Sequence, residues 1–529
     1  MKINLKSLTR QPASASQRIA KNTGILYAKM GITMFISLYA TRLILSALGA
    51  NDFGIFGLVG GAIGLLSFLE CAMASATQRF MSYAEGEGNK EKQKTIFNVS
   101  VILHILIAAV VAVMLVIAGF FFFDGVFNIP TLNIPTESVF AARVIYYLMI
   151  ASTLFTILTV PYDAVLNAHE NMLYYAVVGI IESVLKMVVA IVVVYAMADK
   201  LIVYGVLTTG ISFVVMIIMR IYCHKNYEEC VFKPKNYFNK ETMKEMTGFA
   251  GWNFLGSFFV ILAANGSGII LNHFFGTLLN AANALAGQLT GQLSVFASTM
   301  LKALNPVIVK KEGSGNRKSM LSTATSGCKI SFLLLAFFAL PFLIETPYIL
   351  NLWLESVPDW TVIFCRLAII RGLIEVTVSP LGTCINAVGK IKQLNMIQSI
   401  KAVFEMGFLY CGFLFGIPPY WLSVVSILSV FAGAIITIHQ ATKHGALDVK
   451  KFIGEVVLKL FGIFIFSFAM IYTITWMNES FFRLLITCFF SSCVFLPLFY
   501  FMALNIEEKN LVKDMYHTVS AKMKKRHSL

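Results

Sequence analysis

Long apolar runs separated by short polar turns dominate this chain. Fourteen runs are long enough to cross a bilayer as helices, near 22–48, 53–78, 96–123, 139–160, 172–197, 201–222, 247–275, 279–306, 322–344, 361–388, 393–416, 421–440, 455–476 and 481–503. About 20 residues at 1.5 Å rise span the hydrocarbon, and each run meets that length. Barrel strands would alternate apolar and polar positions over about ten residues. These runs are continuous, so the prediction is an all-α polytopic membrane protein. The first run is not a cleaved leader: it follows 21 mostly polar residues and ends in LGANDFG rather than a small-residue cleavage site.

Composition supports this reading. Of 529 residues, 58% are hydrophobic and only 13% charged, about half the charge of an ordinary soluble domain. No polar stretch is long enough to bury a core, which removes the room for a catalytic domain, so the chain is not expected to be an enzyme. No GxxxxGK[ST] stretch offers a nucleotide site. Nine cysteines contain no CxxC and predict neither a disulfide framework nor a metal site. No cofactor is expected.

Charge sets the orientation. With the N-terminus in the cytoplasm, 32 of the 42 Lys and Arg fall in cytoplasmic segments or the run ends beside them, and only Lys200 and Arg483 fall at the other side. This is the positive-inside pattern, and both termini are predicted cytoplasmic. The net charge of +15 then reports topology and attraction to anionic lipid, with no nucleic-acid footprint.

The chain also repeats itself. Residues 43–89 align without gaps on 270–316, with 12 identities in 47, ending in EGEGN (85–89) and EGSGN (312–316). A second echo, at an offset of 219, sets VPYDAVLNA (160–168) on SPLGTCINA (379–387). It also sets Glu182 and Lys186 on Lys401 and Glu405, with the signs exchanged. Runs 1–6 and 7–12 therefore read as two copies of one six-helix unit. An even number of spans per copy makes it a parallel repeat about the membrane normal. The predicted organisation is an N-lobe at 1–222, a linker at 223–246, a C-lobe at 247–440, and an added helix pair with a basic tail at 441–529.

Ionisable residues inside membrane runs are costly and mark candidate sites. The basic candidates for a cationic cavity are Lys29, Arg42, Arg143, Lys186, Arg366, Arg371 and Lys401; Lys459 reads as a snorkelling residue. Glu70, Glu182, Glu375 and Glu405 are candidate coupling or ion-pair carboxylates. Glu182–Lys186, Arg371–Glu375 and Lys401–Glu405 share the i,i+4 spacing of a local ion pair, so a structural role stands beside the functional one. Arg42 and Arg143 also fit snorkelling to headgroups. A basic excess within the bundle suits an anionic substrate, and Arg suits phosphate. Pro161, Pro306, Pro341 and Pro380 fall in or near run ends, as hinges or as terminators.

LGANDFGIF (48–56), ATQRFMSYAEGEGN (76–89), VPYDAVLNAHENM (160–172) and SPLGTCINAVGKIK (379–392) resemble, in order and spacing, the Wzx-type flippases for lipid-linked oligosaccharides. These belong to the multidrug/oligosaccharidyl-lipid/polysaccharide (MOP) superfamily, with the MATE exporters. The resemblance implies two six-helix lobes in a V shape and alternating access in the bacterial inner membrane. It implies a polyprenyl-diphosphate-linked oligosaccharide as substrate, membrane lipids and a glycan polymerase or assembly complex as partners, a monomeric transport unit, and a role in O-antigen, lipopolysaccharide or capsule synthesis. The last two runs match the fourteen-helix count of the lipid II flippase. A cation-coupled drug or metabolite exporter, with Glu70 as coupling carboxylate, is the alternative. A non-transporting scaffold is a third reading, disfavoured by the intramembrane charges.

Overall fold

The computed structural model describes residues 15–64, 66–124, 138–353, 357–506 and 508–510; the terminal basic tail lies outside them. Its elements, in chain order, are α1 (Ala15–Gly64), α2 (Ser67–Glu87), α3 (Lys90–Asp124), α4 (Val139–Ala168), α5 (Met172–Tyr195), α6 (Lys200–Asn226), the short α7 (Pro234–Tyr237), α8 (Lys240–Gly313), α9 (Arg317–Trp353), α10 (Thr361–Val388), α11 (Ile391–Leu414), α12 (Trp421–Gly445), the short α13 (Val449–Phe452), α14 (Leu458–Tyr472) and α15 (Phe481–Leu498). π-helical turns at Ile453–Val457 and Phe499–Ala503 precede α14 and follow α15.

The fold is the predicted all-helical, multi-pass membrane protein. Twelve helical segments among the described residues are long and apolar enough to cross a bilayer. Two of the fourteen predicted runs are not among these twelve. Run 53–78 is interrupted, because α1 ends at Gly64 and α2 begins at Ser67. Run 361–388 is one unbroken helix, α10, that carries three charges, Arg366, Arg371 and Glu375.

The repeat is visible in the backbone. At 74 residues, α8 would be about 110 Å long if straight, far beyond one membrane crossing. It is broken at Gly276 (φ 80°, ψ −175°), and α1 is broken at Gly49 (φ 76°, ψ 170°). The two glycines are equivalent at the 227-residue offset, and this backbone region is essentially open to glycine alone. The EGxGN turns match in the same way. Gly88 and Gly315 take positive φ where their helices end, and the following asparagines start the next helices. Asn89 Oδ1 accepts from the Lys92 amide at 3.0 Å, and Asn316 Oδ1 from the Ser319 amide at 3.1 Å. Each turn is a helix stop followed by a helix start. The prolines end no helix: Pro161, Pro306, Pro341 and Pro380 all lie inside continuing helices. Neighbouring elements in a bundle can satisfy the carbonyls they free.

By contact the chain divides into two compact units, one of Met1–Gly24, Phe259–Ile308 and Asn316–Leu529, the other of Ile25–Phe258 and Val309–Gly315. Within the second, α4 is central and packs on α2, α3 and α6. Its core includes Val59, Leu115, Ala142, Ile145, Tyr146 and Ala190. Within the first, α10 is central and packs on α9 and α12, around Leu271, Ala282, Phe364, Cys365 and Leu409.

The added pair, α14 and α15, docks on α9. Near one end of α9, Glu345 receives Arg483 in a fork, Nη2 to Oε2 at 2.6 Å and Nε to Oε1 at 3.0 Å, with a third bond from Thr487 at 2.9 Å. Nearer the other end, Lys329 donates to Glu508 at 2.9 Å and Ser326 to the same carboxylate at 2.6 Å. Between these pairs Phe332 packs on Phe461 and Phe464.

Candidate functional site

The unit containing Ile25–Phe258 holds a cavity of about 170 Å³. α1 supplies Lys29, α2 Glu70, α4 Thr156, Thr159 and Asp163, α5 Tyr175, Gly179 and Glu182, and α6 Ser212. These side chains arrive from five apolar helices, so the polar groups converge only in the fold. The Lys29 ammonium lies 4.2 Å from the Tyr175 ring centroid, a cation–π contact. A methyl group at Gly179 would overlap the lysine stem; the missing side chain is the slot through which Lys29 reaches the cavity. Three carboxyl groups and one ammonium thus share the space. Such clusters within membrane helices are expected at proton, ion or substrate paths.

The unit containing α9–α12 uses its charges differently. Lys401 Nζ donates to Ser429 Oγ at 2.9 Å and to the Ser429 carbonyl at 3.2 Å. Ser429 Oγ in turn donates to Glu405 at 2.5 Å, and Ser426 donates to the same carboxylate at 3.3 Å. The predicted Lys401–Glu405 pair is therefore joined through a serine of α12. The other two predicted pairs are direct: Lys186–Glu182 at 2.6 Å and Arg371–Glu375 at 3.8 Å. All four of those groups are substantially exposed.

The remaining predicted residues are scattered. Arg366 Nε donates to the Leu343 carbonyl at 3.0 Å. That carbonyl sits four residues before Pro347, which has no N–H to offer it, so Arg366 satisfies an acceptor that the proline leaves without its helical partner. The Arg143 guanidinium lies over the Phe123 ring, 5.5 Å from its centroid. Arg42 is exposed. Lys29, Glu70 and Glu182 are thus brought together; Arg371, Glu375, Lys401 and Glu405 belong to the other unit.

Two site residues escape the sequence reading. Asp163 lies past Pro161, whereas the fourth predicted run stops at 160; its signal is a carboxylate inside VPYDAVLNA. Tyr175 is one aromatic among many, and only the fold places it under Lys29. Glu345, fully buried, also carries no mark in the sequence reading, since it falls just beyond the predicted end of the ninth run.

A second charged cluster lies where α2, α4 and α8 end. His169 bridges two carboxylates, Glu229 in a short bond and Glu85 at 3.3 Å, while stacking on Tyr227 at 4.4 Å. Burial opposes charge on His169, yet its bonds to Glu229 and Glu85 hold its pKa above the ordinary 6.5. Burial likewise opposes ionisation of Glu85, but His169, Lys310 and Gln93 bring its pKa down to about 2. Glu229 is lowered for the same kind of reason, with His169 and Lys90 outweighing burial.

With these features in place, the relatives are informative. The chain superposes on solved MATE transporters. One is a MATE in the straight conformation, at TM-score 0.70 and 14% identity, covering 82% of this chain and 97% of that one. An outward-facing multidrug resistance MATE family transporter of the MOP superfamily gives TM-score 0.71 at 14% identity, covering 82% and 97%. A MOP superfamily transporter from Pyrococcus furiosus Vc1 (DSM3638), described as having a binding pocket of reverse polarity, gives 0.67 at 14% identity, covering 81% and 97%. The class is therefore a multi-pass membrane protein with the MOP transporter fold. Residues 19–312, more than half of the chain, match the polysaccharide biosynthesis protein family, and the chain belongs to that family, as its resemblance to Wzx-type flippases implied. It is also 23% identical over 309 residues to EpsK, an uncharacterized membrane protein of Bacillus subtilis (strain 168). That match spans 58% of this chain and 59% of the relative.

Proposed function

We propose that the protein moves a polyprenyl-diphosphate-linked oligosaccharide from the cytoplasmic to the periplasmic leaflet of a bacterial inner membrane by alternating access, in the assembly of an O-antigen, lipopolysaccharide or capsule-type glycan. The polysaccharide family supports the substrate class, and the observation that carries the reading is Lys29, held in a polar cavity inside otherwise apolar helices. A sugar diphosphate cannot enter hydrocarbon without losing hydration that only fixed charges and hydrogen bonds can replace. Lys29, Arg42, Arg143, Lys186, Arg366, Arg371 and Lys401 remain the candidates for contact with the anionic headgroup. The transport step uses no covalent chemistry, and the prenyl tail stays in lipid. The transport unit is one chain, working beside a glycan polymerase or assembly complex.

The test is complementation. In a strain lacking its own flippase, expression should restore surface glycan, and Lys29→Ala should abolish that restoration at wild-type protein levels. Full export by Lys29→Ala, and by each of the other six neutralised variants, would remove the cationic site.

Glu70, Asp163 and Glu182 in the same cavity favour a second reading, a cation-coupled exporter in which these carboxyls carry the coupling ion. Efflux of cationic dyes that depends on Glu70, with no change in surface glycan, would establish it in place of the flippase.

A further inference from the structure

The unit containing α9–α15 holds a cavity of its own, of about 220 Å³. Four stretches build it: the first turns of α9, the turn between α12 and α13, the π-helical turn before α14, and the residues that follow α15. Its buried lining is the network that docks the added pair, Lys329 and Ser326 donating to Glu508. Glu508 also forms a capping box with Asn505. Its carboxylate accepts from the Asn505 amide at 2.8 Å, and its amide donates to Asn505 Oδ1 at 2.7 Å. Lys329 and Glu508 are both buried, and their charges cancel.

The exposed lining is not cancelled. Lys451 and Glu455 stand four residues apart, the spacing that closes Glu182 on Lys186 and Arg371 on Glu375. A π-helical turn, Ile453–Val457, begins between them and breaks the regular register. Among the described residues neither the Lys451 ammonium nor the Glu455 carboxylate has a partner. Asp448 adds a second carboxylate, with one oxygen accepting from the Lys451 amide at 3.1 Å. Ser322 and Thr325 of α9 bring hydroxyls that likewise have no hydrogen-bond partner among the described residues. The space is thus faced by one open ammonium, two carboxylates and two hydroxyls. A purely anionic ligand meets an excess of negative charge, and a purely cationic one leaves Lys451 unanswered. A ligand that carries both charges answers each with a charge-assisted bond.

The position of the cavity narrows the ligand further. At 37 residues, α9 is about 55 Å long, against ~30 Å of hydrocarbon, so its first turns reach the headgroup layer. By the charge pattern this is the predicted cytoplasmic side. Exposed apolar residues stand beside the lining along the chain: Ile453 and Leu458 flank the turn of Glu455, and Phe501, Met502 and Ile506 flank Asn505. The fitting ligand is therefore an amphiphile with a zwitterionic head.

We propose that this cavity binds the headgroup of an aminophospholipid. The phosphate lies at Lys451 and the Ser322 and Thr325 hydroxyls, and the primary ammonium lies at Glu455 and Asp448. Because its walls come from α9 and from both ends of the added pair, the bound lipid also fastens that pair to α9. The site does not depend on what the protein transports.

The experiment uses the full-length protein, purified in detergent and stripped of lipid. It is incubated with dioleoyl phosphatidylethanolamine, with the N-methyl, N,N-dimethyl and N,N,N-trimethyl (phosphatidylcholine) forms, and with dioleoyl phosphatidylglycerol. Bound lipid is counted by native mass spectrometry. Phosphatidylethanolamine should be retained about fivefold over phosphatidylglycerol and phosphatidylcholine, and retention should fall as methyl groups replace the N–H donors. Equal retention of all the lipids would overturn the site, and preference for phosphatidylglycerol would overturn the amino headgroup. Lys451→Ala and Glu455→Gln should each lower phosphatidylethanolamine retention about fivefold, with Tm in lipid-free detergent unchanged. Unchanged retention in both variants would overturn the residue assignment. If either variant fails to fold, the methyl series on the wild-type protein decides. Phosphoethanolamine without acyl chains should compete at least about tenfold more weakly than the lipid, since it buries no apolar surface. Equal competition would overturn the lipid as ligand.

Discussion

The two halves of the repeat treat the same kind of charge in opposite ways. In the half built on α4, Lys29 enters a cavity through the slot at Gly179 and faces carboxyl groups and a tyrosine ring. In the half built on α10, Lys401 and Glu405 are tied down by Ser429, Arg366 satisfies a carbonyl that a proline leaves unpaired, and Glu345 anchors the added helices through Arg483. Lys29, Glu70, Asp163 and Glu182 surround space in one half; Lys401, Glu405, Arg366 and Glu345 are taken up in internal bonds in the other. A repeated fold keeps its backbone landmarks, Gly49 with Gly276 and Gly88 with Gly315. Its charges are free to diverge, because a buried ion pair needs only a partner within reach while a transport site needs an opening.

The largest effect that would break this comparison concerns the anchor. Arg483→Leu leaves the fully buried Glu345 carboxylate without its fork, and losing one partner of such a pair costs about 3–5 kcal/mol. Thermal unfolding of the purified protein should show a loss of that order, and a Tm within error of wild type would remove the anchor role. Next come the two lysines. Lys401→Met should destabilise by about 1–2 kcal/mol, the scale of hydrogen bonds to a charged group discounted for partial exposure. Lys29→Met should leave Tm nearly unchanged while abolishing glycan export. Equal losses of stability in both variants would erase the contrast between the halves.

A smaller effect is set by pH. His169 has a raised pKa, so its contribution to stability is complete below its unfolded value near 6.5 and is lost as pH rises through the higher folded value. Glu85 and Glu229 are lowered, so theirs is complete above about 4.5 and is lost as pH falls, for Glu85 toward about 2. The resistance of the protein to unfolding should therefore be flat between about pH 4.5 and 6.5 in this respect. His169→Gln should remove the decline above that window, and a decline that persists would place its cause elsewhere. The smallest effect is also the most symmetric. Asn89→Ala and Asn316→Ala each remove one helix N-cap and should each cost about 1 kcal/mol, alike within error in chemical unfolding. A several-fold difference would show that the two turns are not equivalent.

Much of the fold was legible in the sequence. Apolar runs locate the helices because lipid leaves the backbone no partner but itself, and the offset of 227 residues anticipated the matched breaks at Gly49 and Gly276. The prolines misled the boundaries: α4 runs on past Pro161, and that continuation brings Asp163 to the cavity. Of the site, Lys29, Glu70 and Glu182 were legible as charges in costly places. Their convergence was not, since it depends on how α1, α2, α4 and α5 rotate about their own axes, and helices apolar on every face carry little periodic signal to fix that rotation.

By itself, then, the sequence determined that this chain is a membrane protein, that its halves repeat, and which side chains are too expensive to sit in lipid without a reason. Length, hydropathy and charge are additive along the chain, so they can be read from it directly. Tertiary structure alone decided which charges face a cavity and which close on a serine, a proline-freed carbonyl or an added hairpin. It also decided that Gly86 of EGEGN lies against the Lys310 backbone and Gly313 of EGSGN against that of Tyr83, because such contacts depend on distances that no linear pattern specifies.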